Sequence, residues 1–259
     1  MTQDERREYL INYLLKEDIR FRKQKIPTDL QGQRDLLRSL MNVRMPRAVD
    51  EEFLKLQDEY LQERNIERGI TDVNNLKAVT LDNKLYIWQG DITTLKCDAI
   101  VNACNSQMLG CFLPMHGCID NFIHTYAGIQ LRLKMNEIMM AQGHEEETGK
   151  AKITAGYNLP AKYILHTVGP IIQEVVTKED EELLASCYKE CLKLAGDNGA
   201  KSIAFCCLST GVFRFPQQKA AEIATTTVKE FLDKDDRIKK VIFNVFKDED
   251  LAIYSNLLC

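Results

Sequence analysis

The sequence predicts an α/β protein whose largely parallel sheet has helices on both faces, preceded by a segment of helices only. From about residue 77 onward, short apolar strands alternate with longer amphipathic helices, which is the pattern of parallel sheets with crossover helices. Residues 1–76 instead repeat their apolar side chains at the 3.6-residue period of helices. We therefore expect a helical N-terminal extension over residues 1–76 and a second domain over residues 77–259.

Start and stop signals divide the N-terminal extension into successive helices. A first amphipathic segment includes residues 10–15, and a second is opened by residues 27–29, which read Pro-Thr-Asp. A third begins near Asp50 and is closed by Gly69. Aspartate and proline favour helix starts and glycine favours helix ends, so these positions predict the boundaries.

In the second domain, short apolar runs predict strands at 78–81, 85–88, 98–103, 153–157, 163–166, 202–207 and 240–246. Longer amphipathic stretches predict helices at 120–142, 181–195 and 217–233, with a last helix after residue 246. Ligands of such sheets bind beyond the carboxyl ends of the strands. The loops that qualify follow Trp88, Ala103, His166 and Cys207.

The composition narrows the class of protein. Among 259 residues, 45% are hydrophobic and 28% are charged, which excludes disordered, collagen-like and coiled-coil proteins. No apolar run approaches the roughly 18 residues of a membrane-spanning helix, and the charged N-terminus is not followed by the apolar stretch of a signal peptide. We therefore expect a cytoplasmic protein with no membrane partner. The net charge of −4 argues against a nucleic-acid partner, because phosphate backbones bind basic surfaces.

The cysteines point to metal binding or to burial. There are nine, an odd number, and cytosolic thiols stay reduced, so a disulfide framework is not expected. Cys111, His116 and Cys118 place two thiols and one imidazole within eight residues. Zinc prefers these ligands, and three of them leave one coordination position open. The alternative is that the thiols only pack and His116 lies on the surface.

Two aspartates and one loop could take part in ligand binding or catalysis. Asp91 follows a strand, where it could accept the exocyclic amine of a base or cap a helix that starts at Ile92. Asp120 could likewise be a cap, or a carboxylate that acts on a substrate bound near Cys118. The backbone amides of residues 208–213, which read Leu-Ser-Thr-Gly-Val-Phe, could converge on phosphate oxygens.

Read together, these segments resemble the macrodomain family of ADP-ribose binders. The matching stretches are 90–93, 101–105, 120–128 and 209–216, in the family's order and spacing. The resemblance covers about residues 77–259 and implies a three-layer α/β/α sandwich around a mixed sheet.

One departure from the family indicates a subgroup. Residues 110–119 replace the glycine run that hydrolytic macrodomains usually carry before their catalytic aspartate. This longer loop is similar to that of the zinc-dependent microbial macrodomains, which also have a helical N-terminal extension. The resemblance implies one zinc ion per chain, held by Cys111, His116 and Cys118.

The resemblance also implies roles for individual residues. Asp91 and the amide of Ile92 would bind adenine, Asn105 the distal ribose, and residues 209–213 the diphosphate, with Phe213 near the distal ribose. Asp120 matches the hydrolase aspartate, so Asp120 and Asn105 are the expected catalytic residues. The complete expected set of ADP-ribose contacts is Asp91, Ile92, Asn105, Ile119, Asp120, Ser209, Thr210, Gly211, Val212 and Phe213.

The function implied is a zinc-dependent hydrolase that removes mono-ADP-ribose from the acidic side chains of modified proteins. Its partners would be ADP-ribose and mono-ADP-ribosylated protein. An acidic linkage is favoured because a carboxylate leaving group, with a pKa near 4 for its acid, needs little protonation, and Asp120 is the one carboxylate beside the metal loop. Two alternatives stay open: a non-catalytic ADP-ribose reader with a structural zinc, and a hydrolase of small derivatives such as O-acetyl-ADP-ribose.

Overall fold

A computed structural model of the protein describes residues 1–80 and 82–259. The predicted α/β class is confirmed, because a mixed sheet packs between helices and helical segments precede it. The helices are α1 (Gln3–Glu17), α2 (Leu30–Val43), α3 (Glu51–Glu67), α4 (Ile119–Ala127), α5 (Ile129–Gln142), α6 (Lys178–Asp197), α7 (Gln217–Leu232) and α8 (Asp248–Leu258). The strands are β1 (Thr71–Asp72), β2 (Ala78–Val79), β3 (Asp82–Gln89), β4 (Leu95–Lys96), β5 (Ala99–Ala103), β6 (Ala151–Ala155), β7 (Tyr163–Thr167), β8 (Ser202–Phe205) and β9 (Lys240–Val245).

The main sheet has the strand order β2–β3–β9–β8–β5–β7–β6. Strands β3, β9, β8, β5 and β7 run parallel, whereas β2 and β6 pair antiparallel with their neighbours. Strand β8 is buried throughout and β5 is buried except at its last residue, as expected for strands covered on both faces. The parallel strands therefore end along the same edge of the sheet.

Helices complete the layers on both sides of this sheet. Helices α6, α7 and α8 pack against one another over one face, and α4 and α5 pack together over the other. Helices α2 and α3 contact α4, so the N-terminal helices lie outside that second layer. Within residues 1–80 and 82–259, no helix has both the length and the hydropathy needed to cross a bilayer.

The N-terminal helices begin where the sequence predicts. The side chains of Asp29 and Asp50 cap α2 and α3 by accepting hydrogen bonds from the amides of Gly32 and Phe53, which the first helical turn leaves without partners. Apolar side chains of α1, α2 and α3 form a core of their own that includes Ile129 of α5. The division of the chain at residues 76 and 77 stays a prediction.

The structure differs from the sequence prediction at several boundaries. Thr71–Asp72 form β1, which pairs with β4, although the sequence predicts only helices there, because a two-residue strand has no periodic signal. The predicted helix 120–142 is divided at Gly128, whose φ is +101°. The predicted strand 202–207 ends at Phe205. The predicted strand 78–81 includes Leu81, which lies outside the described residues.

Candidate functional site

The candidate site lies along the edge where the parallel strands of the main sheet end. Loops 90–94, 104–118, 168–172 and 206–216 all begin at this edge. Backbone hydrogen bonds tie neighbouring loops together, since Ile172 N donates to Phe213 O at 2.9 Å. The sheet topology thus gathers segments that are far apart in the sequence.

Cys111, His116 and Cys118 form a cluster that can hold a metal ion. Their ligand atoms all lie within 4.8 Å of one another, and Cys111 Sγ is 3.4 Å from His116 Nδ1. In a tetrahedral site with metal–sulfur bonds of about 2.3 Å and metal–nitrogen bonds of about 2.0 Å, ligand atoms stand roughly 3.5–3.8 Å apart. The three side chains therefore fit one ion after small movements. They are half-buried, which leaves one side of the cluster open.

The metal loop, residues 110–118, is shaped by two residues with positive φ. Gly110 has a φ of +82°, and a Cβ at this position would lie 2.7 Å from the ring of His124. Only glycine meets both demands without strain. Met115 has a φ of +57°, which turns the chain immediately before His116. The loop doubles back in this way and brings the imidazole to the two thiols.

Cys118 has a second role as the N-cap of α4. Its Sγ accepts a hydrogen bond from Asn121 N at 3.4 Å. Burial raises the pKa of the Cys118 thiol to about 12, and the hydrogen bond from Asn121 opposes this shift. A coordinated metal deprotonates a thiol outright, so a bound cation would compensate for the burial of this sulfur.

Asp120 is the second residue of α4 and is 4% exposed. It is not the helix cap, because Cys118 holds that position. Its Oδ1 accepts a hydrogen bond from Asn102 Nδ2 at 2.8 Å, and burial raises the pKa of its carboxyl to about 6 against the opposing effect of Asn102 and Arg132. Oδ2 accepts no hydrogen bond from residues 1–80 or 82–259, so it is available to a water molecule or a substrate.

Asn102 belongs to a buried polar network behind Asp120. Its Nδ2 also lies 3.2 Å from His166 Nδ1, and His166 Nε2 lies 2.9 Å from Thr154 Oγ1. Because Asn102 donates to Nδ1, the proton of the neutral imidazole is on Nε2 and is donated to Thr154. Burial lowers the pKa of His166 to about 3. The network joins α4 to β5, β7 and β6 and fixes the Asp120 carboxylate.

Asn105 and Ile119 flank the metal loop. The Oδ1 of Asn105 accepts a hydrogen bond from Gln107 N at 3.0 Å, and its Nδ2 donates to Gly110 O at 3.5 Å. The side chain therefore links the end of β5 to the start of the metal loop. Ile119 is the first residue of α4, and both residues are half-buried. Asn105, the predicted ribose contact, and Ile119, another predicted ADP-ribose contact, thus lie next to residues of the metal loop.

Asp91 caps a short 3₁₀ helix and pairs with an arginine from the N-terminal extension. Its Oδ1 accepts hydrogen bonds from Thr93 N at 2.9 Å and Thr93 Oγ1 at 2.6 Å. Asp91 therefore caps a helix that starts at Ile92, which is one of the two roles that the sequence allows. Its Oδ2 accepts a hydrogen bond from Arg68 Nη2. The Arg68 guanidinium also stacks on the ring of Tyr126 in α4, with 3.5 Å to the ring centroid. Asp91 is thereby oriented from two sides.

Residues 209–213 present free backbone amides at the same edge. In residues 1–80 and 82–259, no acceptor receives a hydrogen bond from the amides of Thr210, Gly211, Val212 or Phe213. The loop is nevertheless ordered by Phe215 N, which donates to Ser209 O at 3.0 Å. Successive unpaired amides of this kind form an anion-binding concavity. The observed loop therefore suits a phosphate group.

The phosphate loop, residues 209–213, depends on a close approach to the loop after β7. A Cβ at Gly169 would lie 2.0 Å from Ser209 Oγ. Ser209 is itself held at a φ of +62°, and its Oγ is buried and has no hydrogen-bond partner among the described residues. A side chain at position 169 would therefore displace the Ser209 hydroxyl from its observed position.

Phe246 lies beside the Asp91 loop and is 75% exposed. It follows β9 directly, and Gly90 N donates to the adjoining Val245 O at 3.0 Å. An exposed aromatic ring at the end of a strand offers a stacking surface for a base. The sequence alone does not single out this residue, because nothing local marks it as exposed.

Two further residues that support the site are not revealed by the sequence. Arg68 and Asn102 contact predicted site residues, yet each is separated from its partner by many positions. Asn102 lies inside a matched stretch, 101–105, but its role follows only from the fold. Arg68 carries no signal, since an arginine in the last turn of a helix is usually solvated.

Comparisons with known proteins agree with this architecture. Residues 101–224 match the model of the "Macro domain" family. The chain is 57% identical over 260 residues to a protein of Treponema medium named "Protein-ADP-ribose hydrolase", and the match covers 100% of both chains. An Oceanobacillus iheyensis macrodomain solved with ADP is 36% identical, with a TM-score of 0.62 over 69% of this chain and 94% of that one. A Trypanosoma brucei macrodomain in complex with ADP-ribose is 29% identical, with a TM-score of 0.66 over 85% of this chain and 94% of that one. Because the chain is 57% identical to one relative over its full length and shares the fold of the two macrodomain structures, it belongs to the macrodomain family.

Proposed function

We propose that this protein is a zinc-dependent hydrolase that removes mono-ADP-ribose from the aspartate and glutamate side chains of modified proteins. The observation that carries the proposal is the Cys111–His116–Cys118 cluster, which adjoins the buried carboxylate of Asp120 at the binding edge of the sheet. The name of the Treponema medium relative and the ligand of the Trypanosoma brucei macrodomain support the substrate class.

In this proposal the nucleotide part of ADP-ribose lies over the phosphate loop and the Asp91 loop. Asp91 accepts the exocyclic amine of adenine, with the Ile92 amide beside it, and Phe246 stacks on the base. The free amides of residues 209–213 bind the diphosphate. Arg68 holds the Asp91 carboxylate in place through their hydrogen bond.

The distal ribose then lies against Asn105, Ile119 and Phe213, beside the metal cluster. Thiolate and imidazole ligands fit zinc. When bound, zinc supplies positive charge that orients oxygen ligands and stabilises negative charge in the transition state. Asp120 orients or deprotonates the attacking water through its free Oδ2, while Asn102 holds Oδ1. Asn105 fixes the ribose hydroxyls.

The acidic linkage follows from the groups that the site holds. The site holds one carboxylate, Asp120, which acts on the attacking water, and the ring nitrogen of His116 is occupied by the metal. Neither group is therefore left to donate a proton to a leaving group. Aspartate and glutamate carboxylates leave without protonation, whereas an arginine linkage needs an acid catalyst. A site with one base, Asp120, and one metal ion can therefore hydrolyse an ester-like bond without an acid catalyst. Esters such as O-acetyl-ADP-ribose share this chemistry at the ribose end.

Replacement of Asp120 by asparagine tests the catalytic role. Asp120→Asn keeps an oxygen that can accept the hydrogen bond from Asn102 but removes the charge that activates water. We expect turnover of ADP-ribosylated protein to fall about 100-fold or more, with ADP-ribose affinity retained. Single-turnover hydrolysis and calorimetric titration with ADP-ribose measure the two effects separately.

Asp250→Asn is the matched control, because Asp250 is another buried carboxylate, 6% exposed, that accepts a hydrogen bond from Gln217 in α7. This variant should hydrolyse at the wild-type rate. Normal turnover by Asp120→Asn at saturating substrate would remove Asp120 from the mechanism. Binding without turnover in the wild-type protein would make it a reader of ADP-ribose instead.

A further inference from the structure

Arg38 of α2 reaches from the N-terminal extension to the metal loop. Its Nη2 donates a hydrogen bond to the carbonyl oxygen of His116 at 2.8 Å and another to Asn121 Oδ1 at 2.8 Å. The guanidinium also lies 4.2 Å from the centroid of the Phe122 ring. A side chain from another element thus contacts the backbone of a metal-ligand residue directly.

Asn121 extends this contact to the other two ligand residues. Its Nδ2 donates to Cys111 O at 3.4 Å and to Leu113 O at 2.9 Å, and its backbone N donates to Cys118 Sγ at 3.4 Å. Asn121 is fully buried. The hydrogen bond from Arg38 to Oδ1 fixes the orientation of the amide group, so that Nδ2 faces the loop. Arg38 and Asn121 together therefore touch Cys111, His116 and Cys118.

A second attachment lies one turn further along α2. Asn42 Oδ1 accepts a hydrogen bond from Met115 N at 3.1 Å, and Asn42 Nδ2 donates to Thr125 Oγ1 in α4 at 3.0 Å. Met115 is the residue whose positive φ turns the chain before His116. Helix α2 thus supports the loop at the turn and at a ligand.

Arg132 of α5 joins the same helix to the start of the loop. Its Nη1 donates to the carbonyl oxygens of Met41 and Asn42 at 3.1 and 2.9 Å, and its Nε donates to Leu109 O at 2.6 Å. Carbonyls in the last turn of a helix have no partner within the helix. Arg132 donates to these carbonyls and to Leu109 O, and so connects the end of α2 to the residue that precedes Gly110.

From these contacts we infer that Arg38, acting through Asn121, is a positioning residue for the zinc site, so that the N-terminal extension is a structural part of the metal centre. The inference rests on the zinc site of the proposed function. Groups that hydrogen-bond the residues around a metal orient the ligands, and their loss typically weakens metal binding 10–100-fold. The extension accordingly does more than cover apolar surface.

Arg38→Met in the full-length protein is the test. Methionine keeps an apolar stem on the Phe122 ring but removes every hydrogen bond to His116 O and Asn121 Oδ1. The affinity for zinc, measured by competition with a chromogenic chelator, should fall about 10–100-fold. The thiolate-to-metal absorption bands of the Co²⁺-substituted protein should shift as the ligand geometry loosens. Arg38→Lys keeps the positive charge and one donor nitrogen but not the planar guanidinium, so it should show a smaller loss in both measurements.

Arg34→Met is the matched control on the same helix. Arg34 pairs with Glu67 of α3 at 3.0 Å and is not hydrogen-bonded to the metal loop, so its loss should leave zinc affinity and the Co²⁺ spectrum unchanged. The positioning role is wrong if wild-type protein binds zinc and Arg38→Met binds it equally tightly. If wild-type protein binds no zinc, the proposed function itself fails. Should Arg38→Met not fold, the decision rests on Arg38→Lys, whose zinc affinity must then still fall below that of the wild-type protein.

Discussion

At the scale of single residues, the Asp120 carboxylate depends on polar side chains that are buried beside it. The hydrogen bond from Asn102 opposes the rise in the pKa of Asp120 that burial causes, and Asn102 in turn lies within hydrogen-bond distance of His166. Burial of such groups is costly unless each has a partner. The Asp120 carboxylate is thereby connected, through Asn102, to a histidine on β7.

His166 makes the stability of the protein depend on pH. It faces Asn102 of β5, Thr154 of β6 and the His124 ring of α4 at 6.4 Å. Burial lowers its folded-state pKa to about 3, below the ordinary value of about 6.5. The unfolded chain therefore binds a proton that the folded chain does not, and stability should be lost as the pH falls below about 6.5, by up to about 1.4 kcal/mol per pH unit.

Denaturant unfolding between pH 7 and pH 4 measures this effect. His166→Gln should show a shallower loss of unfolding free energy over that range, because glutamine does not titrate. His144→Gln is the control, since His144 is exposed and lies outside the network. Equal pH slopes for wild-type protein and His166→Gln would contradict the account.

Residues that act with sequence neighbours are the ones that a sequence can reveal. Cys111, His116 and Cys118 lie within one loop, and the structure brings their ligand atoms together as that spacing predicts. Arg38 and Arg68 act on partners far along the chain. Their roles depend on how α2 and α3 dock on α4, and no local pattern encodes that docking.

At the scale of elements, the strands and helices that follow clear periodic patterns are predicted well. The strands β5, β7, β8 and β9 lie within or next to their predicted ranges. The very short strands β1 and β4 are missed, because two residues cannot show alternation. The division of the helical region at Gly128 is also missed, since apolar spacing continues across it.

The approach of two loops at Gly169 gives a prediction at this scale. Gly169→Ala would place a Cβ 2.0 Å from Ser209 Oγ and should displace the phosphate loop. Overpacking of this kind costs about 1–3 kcal/mol, so the midpoint of unfolding should fall and ADP-ribose affinity should weaken. Calorimetry and ligand titration measure both.

The double variant Gly169→Ala/Ser209→Gly is the control for the steric explanation. It removes the clashing Oγ, and glycine accepts the positive φ of position 209. Affinity and stability should return toward the wild-type values. An unchanged ADP-ribose affinity in the single Gly169→Ala variant would mean that the loop position is not set by this contact.

At the scale of the whole molecule, the N-terminal helices and the sheet meet at the site. Arg38 and Arg68 extend from α2 and from the end of α3 to the metal loop and to Asp91. Ile129 of α5 packs into the core of the N-terminal helices. The sequence predicts that the extension is helical but does not predict these contacts. An amphipathic pattern shows which face of a helix is buried, but not which element packs against that face.

The proposed zinc dependence and linkage are measured together by the release of ADP-ribose from proteins that carry it on glutamate or on arginine, before and after zinc is removed by a chelator. Zinc contributes several kcal/mol of transition-state stabilisation in such sites. We therefore expect release from glutamate to fall about 100-fold or more in the metal-free protein and to return when zinc is restored, with arginine-linked ADP-ribose left intact throughout. Full activity of the metal-free protein, or faster release from arginine than from glutamate, would contradict the account.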